Sequence, residues 1–230
     1  MNEANTLEET LKGGYNGLYG EVVTCDMYRL RSVKFQPDIV FDVGANVGIF
    51  SRFARTLFPA VLIVALEPHP ENLYYFRKFT FSKDPNLILV EKALGKGVVY
   101  RCSGAANGAG ESYLTTGPGF SDKEVGAAAN LKQTVIPSVT LGELIYSYWT
   151  PAMKSILKVD CEGAENSIWT DALSMAALVL MDYICMELHD YSLSGAGREE
   201  VLAVTTAGLR LLERTHTCER DGVYFWATKK

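Results

Sequence analysis

Several things are scarce in this 230-residue chain, and each scarcity excludes a class of protein. Long apolar runs are missing: the longest, Ala60 to Leu66 and Met175 to Met181, fall far short of the roughly 20 residues a membrane-spanning helix needs. Positive charge is short as well. Lys and Arg number 22 against 27 Asp and Glu, the net charge is -5, and no basic run stands out, which argues against a nucleic-acid partner. The amino-terminal residues are polar and acidic and lack the apolar segment of a secretory signal, so the expected setting is cytoplasmic. The five cysteines are an odd number with no CxxC or Cys/His metal spacing. They read as free thiols in a reducing compartment, with Cys161 and Cys185 packed in core strands.

What is present is a 48% hydrophobic composition, ordinary for one globular α/β domain, and a stretch around which the chain is organised. In Ile39 to Ser51, IVFDVGANVGIFS, the run Ile39, Val40, Phe41 reads as a buried parallel strand with Asp42 at its carboxyl end. Gly44 lets the chain reverse tightly, Asn46 tolerates a left-handed conformation, and Gly48 removes a side chain where a helix begins. The first helical N–H groups then face a ligand. The spacing departs from the dinucleotide fingerprint, because Asn46 stands for the middle glycine and Ile49 follows Gly48. An acidic residue before the turn would repel a pyrophosphate but suits a cationic ligand such as the ammonium or sulfonium of S-adenosylmethionine.

Around this turn the pattern predicts alternating strands and helices. Thr6 and Glu9 form a capping box for a helix carrying Leu7 and Leu11, ended by Gly13 and Gly14. Glu21 to Val33 reads as a hairpin or lid, so residues 1–35 form an amino-terminal segment ahead of a domain over 36–230. A helix over Ile49, Phe50, Phe53, Ala54 and Leu57 leads to a second strand, Val61 to Leu66, ending at Glu67-Pro68. Glu67 stands where a carboxylate accepts ribose hydroxyls of an adenosyl group. A helix from Pro70 to Phe81 follows, with Asn72 and Tyr75 near the adenine, and then a strand, Leu87 to Val90. The loop Lys92-Ala93-Leu94-Gly95 lies beside the adenine ring.

Residues 97 to 140 interrupt the alternation with two extended runs, Val98 to Cys102 and Gln133 to Val139, around a Gly/Ala/Ser-rich stretch. Within it, GESYLTT (110–116) is a candidate substrate-facing segment. Thr140 starts a helix. Strand Ile156 to Val159 runs into Asp160-Cys161-Glu162-Gly163-Ala164-Glu165, followed by a helix with Trp169, Ala172 and Leu173 on one face. Tyr183 to Glu187 is a strand ending at Glu187-Leu188-His189. Arg198 to Ala207 reads as helix stopped by Gly208, and Arg210 to Thr215 and Val223 to Thr228 as a closing antiparallel pair.

FDVGANVG, ALEPHPEN, VEKALG, ESYL, IPSVTL and LKVDCEGAE together resemble, in order and spacing, the FkbM family of S-adenosylmethionine-dependent methyltransferases. The resemblance covers roughly residues 36 to 190, and LKVDCEGAE is its specific block. It implies a Rossmann-like class I methyltransferase fold: a mostly parallel seven-stranded sheet with an antiparallel carboxyl-terminal strand and an inserted hairpin. It also implies O-methylation of a hydroxyl on a sugar, a glycan or a natural-product scaffold. Carried over by position, Asp42, Gly44, Asn46, Gly48, Glu67 and Pro68 hold the cofactor, and Asp160 borders the transferred methyl; Ala93 joins them from the adenine loop.

An alcohol needs a base or a metal to become a nucleophile. His189 is the expected base, with Asp160 or Glu187 orienting it. The rival is Mg²⁺ or Mn²⁺ bound by Asp160, Glu162 and a residue such as Glu187. Glu165 is assigned to the helix turn it precedes, and His69 and His216 to surface or loop positions. Two further readings stay open: a nicotinamide-dependent oxidoreductase, disfavoured by Asp42 and the glycine pattern, and a cofactor-binding module without turnover.

Overall fold

The computed structural model describes residues 16–79, 84–96, 99–103, 112–115, 132–189 and 197–230. The capping box at Thr6 lies outside them, as does GESYLTT apart from its central strand.

Five parallel strands build the centre of the main sheet. β1 (Ile39–Val43), β2 (Leu62–Leu66), β3 (Leu87–Val90), β9 (Ser155–Val159) and β10 (Tyr183–Glu187) stand in the order β3-β2-β1-β9-β10. The sheet is finished by an antiparallel pair, β12 (Tyr224–Lys229) beside β10 and β11 (His216–Asp221) at the edge. β1 and β9 are buried along their whole lengths, as near-continuous apolar runs covered on both faces should be. Phe41, Val43, Leu157 and Ile184 pack into one apolar layer, and Val40, Ile63, Ile156 and Cys185 into the other.

Helices cover the faces. α1 (Ile49–Leu57) follows β1, and α2 (Pro70–Phe79) follows β2. α3 (Leu141–Tyr148) starts on a full capping box, in which Thr140 Oγ1 accepts from Glu143 N and Glu143 accepts from Thr140 N. α4 (Ala172–Leu178) is capped by Asp171, and α5 (Gly197–Thr215) precedes β11. Between β3 and α3 the insertion forms β5 (Val99–Ser103) with β6 (Ser112–Thr115) and β7 (Lys132–Ile136) antiparallel on either side. A two-residue parallel bridge, β4 (Ala93–Leu94) with β8 (Ser138–Val139), ties the insertion back.

Three expectations are corrected. α5 runs through Gly208 to Thr215, where a helix stop and then a strand were expected, so the closing strand pair starts at His216. A side chain at Gly208 would meet the Trp169 ring at 2.5 Å, so this glycine serves close packing. The helix after LKVDCEGAE is split into a 3-10 turn, Ala164–Ser167, and α4; Trp169 is buried between them while Leu173 is exposed. The segment before β1 is no hairpin. It consists of helical turns, Asn16–Tyr19, Gly20–Thr24 and Leu30–Ser32, laid against α1 and the β10–β12 edge. Among the described residues no helix is long and apolar enough to cross a membrane.

Candidate active site

The carboxyl ends of β1, β2, β9 and β10 meet at one edge of the sheet. The turn after β1 has the strained backbone its residues suggest: φ is +77° at Gly44, +52° at Asn46 and +88° at Gly48. At Gly44 the reason is also steric, because an added Cβ would lie 1.7 Å from the Asp160 carbonyl oxygen on the neighbouring strand.

Asp42 is fully buried beneath this turn. Its Oδ2 accepts from Ser51 Oγ at 2.6 Å, and its Oδ1 lies 3.3 Å from Lys158 Nζ. The β1–β9 register sets Asp42 directly across from Lys158, which produces the ion pair. The expectation that Asp42 faces a ligand's cation is therefore corrected: its counter-charge is a lysine of the protein. Lys158 is itself buried and donates to the Gly44 carbonyl at 2.7 Å, pinning the turn. Burial alone would lower its pKa, but Asp160 and Asp42 more than offset this and hold the ammonium above its ordinary value.

Glu67 is 5% exposed at the end of β2. Its Oε2 accepts from Asn46 N in the glycine turn, and its Oε1 from His69 N and, at 3.2 Å, from Asn72 Nδ2. Burial raises its pKa, opposed by those three bonds. Two carboxylate oxygens offer about four acceptor positions, so capacity is left on Oε2, and the long Asn72 bond is the one most easily exchanged. Pro68 is half-buried beside it, and Ala93 is buried in the β4–β8 bridge, where an open loop was expected.

At β9 and β10 the chain brings four predicted residues together. His189 Nε2 stands 3.8 Å from Asp160 Oδ1, 3.6 Å from Glu162 Oε2 and 3.7 Å from Glu187 Oε1. Asp160 and Glu187 are mostly enclosed, while Glu162, at φ +54° in the turn, is 84% exposed. Ligand atoms of Asp160, Glu162 and His189 all lie within 4.8 Å of one another.

What orients His189 is neither Asp160 nor Glu187. Glu165, fully buried, takes His189 N at 2.7 Å and ring Nδ1 at 2.9 Å on its Oε1, while its Oε2 accepts from Gly163 N. A carboxylate oxygen only accepts, so Nδ1 carries the proton and Nε2 is turned toward the three other carboxylates. The assignment of Glu165 to its helix turn alone is corrected. Burial lowers the His189 pKa, yet Glu165, Asp160 and Glu162 outweigh it and push it up to about 9. Glu187 is raised to about 7, first by burial and then by Asp160.

Tyr28, Lys158 and Glu165 were not singled out as site residues from the sequence. Tyr28 Oη donates to Asp160 Oδ2 at 2.7 Å, and burial and Asp160 hold its phenol protonated. Lys158 carried a readable signal, since a lysine inside the apolar strand SILKV must find a buried partner. Burial foremost pushes both the Cys161 and Cys185 thiols well up. Cys185 is buried in β10 as expected, whereas Cys161 lies past the end of β9, half-buried, with its Sγ donating to Glu165 Oε2 at 3.5 Å, so its placement in a core strand is corrected. His216 is buried rather than on the surface, with Nε2 2.8 Å from the Met181 carbonyl. Two surface clefts, one with Arg31, Arg52 and Phe53 and one with Lys96, Thr140 and Asp171, include none of Glu67, Asp160 and His189 in their lining.

Comparison with known proteins agrees with the fold. The O-methyltransferase from Bacillus cereus, solved with S-adenosylhomocysteine, superposes with a TM-score of 0.53 over 100% of this chain and 93% of its own, at 14% identity. The chain therefore has the Rossmann-like fold of the class I methyltransferases. In sequence it is FkbM-like: 54 residues are 46% identical to 31-O-demethyl-FK506 methyltransferase FkbM of Streptomyces tacrolimicus, covering 23% of this chain and 21% of that protein. Methyltransferase sdnD of Sordaria araneosa is 38% identical over 53 residues, 23% of this chain and 20% of its own length. The match thus spans about a fifth of those relatives' length. No family model matches the chain.

Proposed function

We propose that the protein is an S-adenosylmethionine-dependent O-methyltransferase whose acceptor is a hydroxyl on a sugar, a glycan or a natural-product scaffold. The observation that carries the reading is the Glu165–His189 dyad, aimed past Asp160 and Glu187 at the same sheet edge as the glycine turn and Glu67. The FkbM relative, by its name, methylates a 31-O-demethyl compound, which favours oxygen as the acceptor atom. The net charge of -5 speaks for a small-molecule or glycan acceptor over a nucleic acid.

The residues present suit an adenosyl cofactor. Its sugar would be held by Glu67 and its remaining polar groups by the backbone of the turn at Gly44, Asn46 and Gly48. When bound, it supplies an electrophilic methyl on a sulfonium. The protein's part is to hold an acceptor oxygen in line with that carbon and to remove its proton. His189 Nε2 takes the proton, Glu165 stabilises the imidazolium through Nδ1, and Asp160 and Glu187 add negative potential around it. A base that titrates near 9 is strong but mostly protonated at neutral pH, so turnover should rise toward alkaline conditions.

A second reading rests on the approach of Asp160, Glu162 and His189 ligand atoms within 4.8 Å, a donor set suited to Mg²⁺ or Mn²⁺. Such an ion would supply Lewis-acid polarisation of the hydroxyl in place of proton removal by His189. One experiment separates the readings: transfer of labelled methyl to a panel of sugars and hydroxylated natural products, with and without EDTA. Transfer to oxygen that survives EDTA and is lost in His189→Ala supports the base. Loss in EDTA with recovery on added Mn²⁺ replaces it with the metal, and transfer to amines alone overturns the O-methylation.

A further inference from the structure

We propose that Tyr28, from the amino-terminal segment, is a positioning residue of the active site: its hydroxyl occupies Asp160 Oδ2 and thereby presents Oδ1 to the side where His189 and the acceptor stand. The inference rests on the methyl-transfer reading above.

The geometry is specific. Tyr28 Oη lies 2.7 Å from Asp160 Oδ2, across 132 residues of sequence, whereas Asp160 Oδ1 faces His189 Nε2 at 3.8 Å. Lys158 Nζ is also on the Oδ2 side, at 3.6 Å. One oxygen of the carboxylate is thus committed to the protein and the other to the site. With a side chain 19% exposed, Asp160 could otherwise rotate and exchange its oxygens.

Tyr28 is held in a manner that suits this task. It is buried, and its ring packs edge-on against Phe50, at 5.3 Å between centroids, and against Tyr224, at 6.2 Å. Its carbonyl accepts from Tyr183 Oη on β10 at 2.9 Å. On one side, the Met27 carbonyl accepts from Trp226 Nε1 at 3.0 Å, and Arg29 stacks 3.6 Å over the Trp226 ring. On the other, Asp26 accepts from the backbone N–H groups of Leu30 and Arg31. The first contacts clamp the segment to β10 and β12, the strands beside the site, and the Asp26 bonds close its turn, so the phenol is delivered from a fixed base. Packing alone would have been served by phenylalanine. A hydroxyl in that enclosed place needs a partner, and its partner is a residue of the site.

The test compares wild type with Tyr28→Phe, Asp160→Asn and the double variant, measuring kcat, KM for S-adenosylmethionine and melting temperature. A misplaced group typically costs about ten- to a hundredfold in rate, so Tyr28→Phe should lose at least about tenfold in kcat with cofactor KM and melting temperature near wild type. If Tyr28 acts through Asp160, the double variant is no slower than Asp160→Asn. Wild-type kcat in Tyr28→Phe, or a loss matched by cofactor affinity and melting temperature, overturns the proposal. So does a Tyr28→Phe effect that persists in full on the Asp160→Asn background. A wild type inactive on every acceptor would refute the methyl-transfer reading instead. A crystal structure of Tyr28→Phe, which needs no turnover, then decides the positioning: a turned or disordered Asp160 supports it, and an unmoved Asp160 overturns it.

Discussion

Glu165 and His189 show how much one buried contact between two side chains can decide. A fully buried carboxylate costs several kcal/mol unless it is paired, and Glu165 is paired by two backbone N–H groups and an imidazole. Replacing it with Gln should lower the His189 pKa from about 9 toward the ordinary value near 6.5, because its two largest raising contributions come from Glu165. The ascending limb of kcat/KM should then move to lower pH, while the plateau rate falls; a limb that stays put would show that His189 is not the titrating base. The same pair makes stability pH-dependent. A histidine whose folded pKa lies above its unfolded one stabilises the fold fully below about 6.5 and loses that contribution as pH rises through about 9. Glu187, raised to about 7, has the same sign, its contribution present below its unfolded value and lost as pH passes 7. Melting temperature in EDTA should therefore fall between about pH 6.5 and pH 9, where the His189 loss lies, and His189→Asn should flatten that decline. The candidate residues were legible at this scale where chemistry and chain position coincide, as for His189, Asp160 and Glu187. Glu165 was misread because its partner lies 24 residues on, and Tyr28 was missed because its partner lies 132 away.

Among the elements, the strands were the most legible, since strands buried on both faces are short apolar runs with an acidic residue near the carboxyl end, Asp42 within β1, Asp160 just after β9 and Glu187 closing β10. Boundaries that depend on tertiary contact were not. Gly208 looks like a helix stop in isolation, but α5 continues through it because Trp169 packs against that point, and Leu209, Leu211 and Leu212 with Glu213 are good helix formers. Gly208→Ala should accordingly gain about 1 kcal/mol of helix propensity and lose more to overlap with the ring, a net cost of about 1–2 kcal/mol by urea denaturation. A stabilised variant would show the helix and the ring to stand further apart. Gly44 admits even less. Positive φ and a 1.7 Å approach to the Asp160 carbonyl should make Gly44→Ala cost about 3 kcal/mol or more, and a neutral result would contradict the β1–β9 closeness on which the site depends.

At the level of the whole molecule, the order β3-β2-β1-β9-β10-β12-β11 puts the first strand between β2 and β9. Chain direction reverses the crossovers at that point, and ligands of open α/β sheets bind there, outside the carboxyl ends of the strands. Glu67 on one side and Asp160, Glu187 and His189 on the other flank the turn between them, so under the proposed function one half of the edge would hold the sugar and the other would handle the proton. The inserted sheet β6-β5-β7 and the clamped segment 26–31 are additions to this plan that the alternation of strands and helices could not specify. The most direct test of the account is a calorimetric titration of S-adenosylhomocysteine into the wild-type protein and Glu67→Ala. It predicts one site per chain in the wild type and an affinity at least about tenfold weaker in the variant, the worth of hydrogen bonds to a charged group. Absence of binding to the wild type, or equal affinity in both proteins, would contradict it.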